Sequence, residues 1–220
     1  MVLLKTIREF IFQVLSPSFC ESCRCWLDQR TVLCASCVQK IVPVVTYDLI
    51  LSAQSKISVY ALGAYQDPLK CLILAKQRSD QLASVYLATQ IYEKTVFRNL
   101  PCDFLIPIPL HWSRRLKRGY NQALVMAQQL QKLRSGVLLA DVLKRQKVTK
   151  YQAGLSRLGR FDNLKNAFAL KKINPDIYRD KHLILIDDVF TSGATLAAAA
   201  KELLKLRPKT IAIIVACRAI

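Results

Sequence analysis

Apolar residues at Leu3, Leu4, Ile7, Phe10, Ile11, Val14 and Leu15 recur at three- and four-residue spacing as far as Ser16-Pro17, the signature of one helix face. Lys5, Arg8, Glu9 and Gln13 take the other side. The stripe fits packing against the rest of the protein, with a membrane surface as the alternative use. Past a cysteine-rich stretch, 57–65 reads as a strand and 68–76 and 82–96 as helices. A short apolar strand over 104–109 ends at Pro107-Ile108-Pro109, and a long helical pattern covers 113–133. Residues 142–144 suggest a short strand, and 147–160 are polar with little periodicity. The C-terminal part is clearest: a buried strand at 181–186, a loop over 187–194, a helix at 195–206 and a second buried strand at 210–216. Strand, helix and strand in that order imply a right-handed parallel crossover. Four consecutive alanines, Ala197 to Ala200, let that helix lie close on the sheet. The pattern predicts an α/β domain with a parallel core.

Composition narrows this further. The chain has 220 residues, 52% of them apolar, with 6 Gly and 8 Pro, which excludes disordered and collagen-like classes. That length supports one good core plus an appendage, divided here as an N-terminal helix and metal-binding module over 1–50 and an α/β domain over 51–220. Lys and Arg number 33 against 15 Asp and Glu, a formal net charge of +18. Between His111 and Lys172, 15 basic residues face only Asp141 and Asp162, a local +13. A surplus that concentrated points to a polyanionic partner more than to solubility. The N-terminus lacks a signal-peptide core, and the apolar runs are too short for membrane insertion. A cytoplasmic protein is expected, its 8 cysteines reduced or metal-bound.

Cys20-Glu-Ser-Cys23 and Cys34-Ala-Ser-Cys37 are two Cys-x-x-Cys knuckles separated by ten residues. Each aims two thiolates at one ion, and together they make a closed four-sulfur site suited to structural zinc. Cys25 leaves the ligand choice open, either replacing Cys23 or remaining a free thiol. Cys71, Cys102 and Cys217 are isolated in apolar surroundings and read as packed side chains.

The stretch from Leu183 to Thr195 carries the other chemistry. A buried strand delivers Asp187 and Asp188 at its carboxyl end, and Thr191, Ser192, Gly193, Ala194 and Thr195 lead into a helix. Backbone N–H groups of such a turn, with the helix dipole, form a phosphate pocket. The end of a parallel strand is where open α/β sheets bind ligands. An ATPase reading of Asp-Asp fails, because the single Gly-x-x-x-x-Gly, Gly154 to Gly159, runs into Arg160-Phe161 with no strand before it.

Residues Ile184 to Thr195 resemble the signature of type I phosphoribosyltransferases, which grip phosphoribosyl pyrophosphate (PRPP). That resemblance implies that Asp187 and Asp188 meet the ribose hydroxyls and that Thr191, Ser192, Gly193, Ala194 and Thr195 wrap the 5-phosphate, with Mg2+ accompanying PRPP. Phe190 stands where that family usually has an aliphatic side chain. A wider set of motifs narrows the likeness: Ile106-Pro107-Ile-Pro109-Leu-His111, then Arg114-Arg115-Leu-Lys117-Arg118-Gly119-Tyr120-Asn121-Gln122, then Leu143-Lys-Arg145, Gln152, Arg160, Asn163 and Ala167-Phe168. With the cysteine pairs, this order resembles the ComF family of competence-associated proteins over nearly the whole chain. By that analogy 107–115 is the pyrophosphate loop and 147–163 a hood over the site. The residues agree, since Arg114, Arg115 and Arg118 follow the end of a strand and guanidinium forks suit phosphate oxygens.

The resemblance implies a role in natural transformation and the handling of incoming single-stranded DNA, with other competence proteins as candidate partners. The basic stretch fits weak, sequence-independent binding of single strands, with Trp112, Tyr120 and Tyr151 as candidate stacking residues. The alternatives are an active phosphoribosyltransferase acting on a base or an amine, and a nucleic-acid-binding module that keeps the old site as a relic. No residue stands out as the catalyst of turnover, His111 and His182 both reading as packed or surface side chains.

Overall fold

A computed structural model describes residues 19–28, 31–52, 55–75, 81–110, 119–146 and 167–219. The N-terminal helix expected before Ser16 lies outside them, as do 147–163 and the arginines Arg114, Arg115 and Arg118. The described elements are α1 (Ala35–Gln39), β1 (Val44–Ser52), β2 (Ser55–Ala64), α2 (Leu69–Ala75), α3 (Leu82–Lys94), β3 (Phe104–Pro107), α4 (Gln122–Leu133), β4 (Leu138–Leu139), β5 (Leu143–Arg145), β6 (Phe168–Leu170), β7 (His182–Phe190), α5 (Ala194–Leu204) and β8 (Thr210–Arg218).

Six strands form one sheet in the order β1-β2-β8-β7-β3-β4. All neighbours run parallel except β1, which pairs antiparallel with β2 at the edge. Leu183 to Ile186 of β7 and Ile213 to Cys217 of β8 are fully buried. Strands covered on both faces need such continuous apolar runs, which is why these two are the plainest in the sequence. On one face lie Leu196, Ala199, Ala200 and Leu203 of α5, with the small antiparallel ribbon of β5 and β6. The alanines do bring α5 close, Ala199 and Ala200 being fully buried.

The opposite face is covered by α2, α3 and α4, whose buried residues follow helical spacing: Leu87 and Ile91 on α3, Ala123, Met126, Ala127 and Leu130 on α4. The same cluster contains Cys20, Leu27, Leu33, Cys37 and Ile41. The cysteine module therefore shares the core under the sheet. Lys94 Nζ adds a tie by donating to the carbonyl of Val38 at 3.2 Å.

Three differences from the sequence pattern bear on the site. The strand expected to end at Ile186 continues through both aspartates to Phe190, because β8 supplies a ladder that far, with Phe190 opposite Arg218. The loop expected over 187–194 thus shrinks to Thr191, Ser192 and Gly193. Within the helical pattern of 113–133, α4 starts at Gln122, where Gly119 at φ 76° departs from helical backbone and Asn121 takes the cap. Strands β1, β4 and β6 carry no periodic signal; β4 has two residues, β6 three, and Asp48 interrupts the apolar run of β1.

Candidate functional site: a phosphate turn at the sheet and a four-cysteine knuckle

Asp187 and Asp188 stand at the carboxyl end of β7, half-buried, in the middle of the parallel part of the sheet. The Asp188 N–H donates to Asp187 Oδ1 at 2.9 Å, which fixes the first carboxylate against the main chain. Three residues later the chain turns into α5. Gly193 is left-handed, φ 73°, and its carbonyl accepts from the Ala197 N–H at 2.8 Å. No side chain caps this helix. Its first N–H groups, which need an outside acceptor, are left directed at whatever occupies the turn.

Gly193 is required for a second reason. A β-carbon there would stand 2.9 Å from Leu49 Cδ1 and 2.9 Å from Phe190 Cζ. Phe190, the aromatic departure seen in the sequence, is 5% exposed and serves as the packed floor of the turn. Leu49 comes from β1, a strand the sequence pattern does not announce, so the floor is only half legible there. Of the remaining turn residues, Thr191 is exposed, Ser192 and Thr195 half-buried, and Ala194 buried.

The neighbouring strand β3 ends at Pro107, level with Ile186. Ile108 continues alongside, its N–H donating to the Ile186 carbonyl at 2.9 Å. The amino end of α4 arrives beside it, with Asn121 Oδ1 accepting from the Ala123 N–H at 3.1 Å. Arg118 and the earlier arginines fall just before this point in sequence, outside the described residues. Tyr120, a candidate stacking residue, is 8% exposed and therefore packed; Trp112 and Tyr151 fall outside the described residues. Arg218, at the carboxyl end of β8, is not singled out by the sequence pattern. It lies in register with Phe190 and brings a guanidinium to the same end of the sheet, and its carbonyl accepts from the Tyr65 N–H at 2.7 Å. A signal for it exists: an arginine two residues past a buried strand of a crossover unit.

The second site is the cysteine module. The sulfurs of Cys20, Cys23, Cys34 and Cys37 all lie within 4.8 Å of one another. This four-sulfur set does not include Cys25, which leaves the two Cys-x-x-Cys pairs as the cluster. The first knuckle is shaped by a turn in which the Arg24 N–H donates to the Cys20 carbonyl at 2.9 Å, Arg24 itself being left-handed at φ 62°. The second is placed by α1, whose first turn follows Cys34. The Cys34 N–H points at Cys20 Sγ, 3.4 Å away.

The protonation pattern of this cluster suits a cation. Burial works against ionisation at Cys20, but N–H groups of Cys23, Cys34 and Ser22 bring its pKa below the ordinary value. The Ser36 hydroxyl, 3.1 Å from Cys34 Sγ, and the Cys37 N–H lower that thiol to about 5. Burial and the neighbouring Cys34 and Cys23 push Cys37 up to about 12. Four sulfurs this close are not all thiolates unless a positive ion sits among them. Tetrahedral zinc, with Zn–S near 2.3 Å, would put sulfurs roughly 3.8 Å apart. Cys23 and Cys34 are already at 3.6 Å, so the residues fit a metal of that size.

Cys217 is buried, whereas Cys71 and Cys102, also expected to be packed, are half-buried. Burial raises the pKa of Cys71, which donates to Asp67 Oδ1 at 3.1 Å. His182 shares a 2.8 Å hydrogen bond with Thr210 Oγ1 at the amino end of the sheet, the far end from the aspartates. No helix among the described residues is long and apolar enough to cross a membrane.

Residues 116–220 match the model of the phosphoribosyl transferase domain. Over 201 residues the chain is 32% identical to Competence protein F of Haemophilus influenzae, covering 88% of this chain and 82% of that protein. DNA utilization protein YhgH of Escherichia coli O157:H7 is 29% identical over 208 residues, 91% of this chain and 84% of its own. Competence protein ComFC of Bacillus subtilis is 34% identical over 101 residues, 46% of this chain and 38% of that protein.

Proposed function

The chain belongs to the competence protein F family, and from that premise we propose that it binds PRPP at the carboxyl end of its parallel sheet in the service of DNA uptake. The observation that carries this is the strand β7 itself. It runs unbroken past Asp187 and Asp188 to Phe190, so both carboxylates are held by sheet backbone while the chain turns at Gly193 into an uncapped helix. A rigid acid pair beside a bare helix N-terminus matches a ribose with a phosphate on its 5-carbon. The two carboxylates accept from the ribose hydroxyls. The N–H groups of Ala194, Thr195 and the preceding turn, with the hydroxyls of Thr191, Ser192 and Thr195, take the phosphate.

The pyrophosphate end falls toward the end of β3, with Arg114, Arg115 and Arg118 as its cationic partners. Magnesium, travelling with PRPP, offsets the charge of the pyrophosphate oxygens. The Cys20, Cys23, Cys34 and Cys37 sulfurs hold zinc, which is structural because four sulfur ligands leave no open position. The basic surplus between His111 and Lys172 gives single-stranded DNA a weak, sequence-independent contact in the cytoplasm. In this reading PRPP is a bound ligand of a DNA-handling protein, and its presence there requires no turnover.

Calorimetric titration with PRPP and magnesium tests the ligand, and pyrophosphate release in the presence of bases and amines tests turnover. Binding without acceptor-dependent release supports the reading. Robust release with one acceptor would make the chain a working phosphoribosyltransferase instead.

A further inference from the structure

The ladder between β2 and β8 opens at the amino end of the sheet. Its first pair is Val59 with Ile213, although β2 begins at Ser55 and β8 at Thr210. The same register would set Lys56 against Thr210 and Ile57 against Ile211, yet among the described residues no ladder pair joins them. Each strand is drawn outward by its other neighbour. Lys56 and Ile57 pair with Ile50 and Leu49 of β1, next to a register shift between Ile50 and Ser52. Such a shift bends a strand and sharpens its twist. Thr210 and Ile211 pair with His182 and Leu183 of β7, and the Lys209 N–H donates to the Lys181 carbonyl at 2.9 Å.

Between the parted strands lies a cleft of about 430 Å³, a volume within the range of small-molecule sites. Ile57, Ile211, Leu100 and Pro101 give it apolar walls, and the half-buried Tyr60 adds a ring. Lys56 and Lys209, both exposed, belong to the lining, and no carboxylate does. Two hydroxyls of the lining are already engaged: Ser58 donates to Asp48 Oδ1 at 3.2 Å, and Thr210 is bonded to His182 Nδ1 at 2.8 Å. The charge chemistry of the cleft is therefore that of two ammonium groups, at the opposite end of the strands from Asp187 and Asp188.

We infer that this cleft binds a nucleoside monophosphate, its phosphate met by Lys56 and Lys209 and its base lodged in the fork. The inference does not rest on the PRPP reading. A bare inorganic anion would leave the apolar walls in water, so the ligand needs a flat apolar body as well as a charge. Strand edges facing the fork carry main-chain donors and acceptors, and a base edge carries both as well. A tyrosine ring stacks on any base. An added peptide strand does not fit, because the fork closes at Val59, too shallow for a strand of about five or six residues.

The full-length chain is titrated by calorimetry with dTMP, thymidine and inorganic phosphate, with PRPP and magnesium present throughout to fill the aspartate site. The parent should bind dTMP at least about tenfold more tightly than either fragment. Lys56→Glu with Lys209→Glu should weaken dTMP about tenfold or more, leaving PRPP affinity and melting temperature at the parent's values. Lys56→Gln with Lys209→Gln removes the charge without reversing it and should fall between. A thymidine pentanucleotide phosphorylated at its 5′ end tells the two sources of such a phosphate apart. Displacement of dTMP by it marks a strand end as the ligand, and failure to displace marks the free nucleotide. A parent that binds no dTMP, phosphate bound as tightly as dTMP, or dTMP affinity unchanged in both lysine variants would overturn the inference.

Discussion

The ring of Phe190 lies 2.9 Å from the point that a β-carbon on residue 193 would occupy. The turn before α5 is therefore closed from beneath by an aromatic floor, and its glycine is held both by a left-handed backbone and by contact. Gly193→Ala should cost about 1–2 kcal/mol for the backbone conformation and roughly 1–3 kcal/mol more for overpacking against Phe190 and Leu49. Thermal melting reads the sum. Combining it with Phe190→Val should recover part of the overpacking cost and none of the backbone cost. A Gly193→Ala chain that melts with the parent would contradict the tight floor.

The cysteine module shares its buried residues with α2, α3 and the sheet. Loss of the zinc proposed to sit there should therefore be felt by the whole fold. Elemental analysis should find one zinc per chain. Serine at Cys20, Cys23, Cys34 or Cys37 should lower the melting temperature of the entire chain and expose apolar surface to a hydrophobic dye, whereas Cys25→Ser should retain zinc. A metal-free chain with the parent's stability would refute the assignment.

Lys144 and Arg145 sit side by side on the β5–β6 ribbon but differ in what they touch. Lys144 is exposed, while the Arg145 guanidinium lies 5.4 Å from the centre of the Phe168 ring. Reversing Arg145 would disturb packing, so charge reversal at Lys144 and Lys147 is the cleaner probe of DNA binding. Lys144→Glu with Lys147→Glu should weaken single-strand binding and flatten its salt dependence, by about one unit of log–log slope for each phosphate no longer neutralised. An unaltered slope would show that this ribbon does not meet DNA.

Burial pushes the Cys102 thiol up to about 12, with Arg134 opposing the shift and Asp103 adding to it. The folded chain thus keeps a proton that the unfolded chain loses above its ordinary value near 9. The unfolded state then binds fewer protons, so stability is fully present below about pH 9 and falls as pH rises toward 12. Tyr86, also raised to about 12 by burial, adds to the same slope. Cys102→Ala should reduce the drop in melting temperature between about pH 8.5 and 10.5. An identical drop in the two chains would rule out the Cys102 thiol as a contributor.

How much of the fold is readable in the sequence follows from what dominates each residue's surroundings. Strands buried on both faces, such as Leu183 to Ile186, need apolar residues at every position and announce themselves. The cysteine pairs are legible because metal geometry fixes their spacing. The end of β7 is not, because Asp187 and Asp188 look like loop residues locally, and only the ladder from β8 carries the strand past them to Phe190. Edge strand β1 is equally silent, although its Leu49 helps to floor the turn before α5. Arg218 and the hydrogen bond from Asn121 Nδ2 to the Ile108 carbonyl likewise depend on which strands and helices become neighbours, and that information is not local.

The central claim is that Asp187 and Asp188 hold the ribose of PRPP. Replacing both by Asn preserves volume and removes the charge-assisted acceptors. Each such hydrogen bond is worth roughly 1.5–3 kcal/mol, so calorimetric titration with magnesium present should register at least about a tenfold loss of PRPP affinity. The melting temperature and zinc content should stay near those of the parent. A folded, zinc-loaded Asp187→Asn, Asp188→Asn chain that binds PRPP as tightly as the parent would contradict the account.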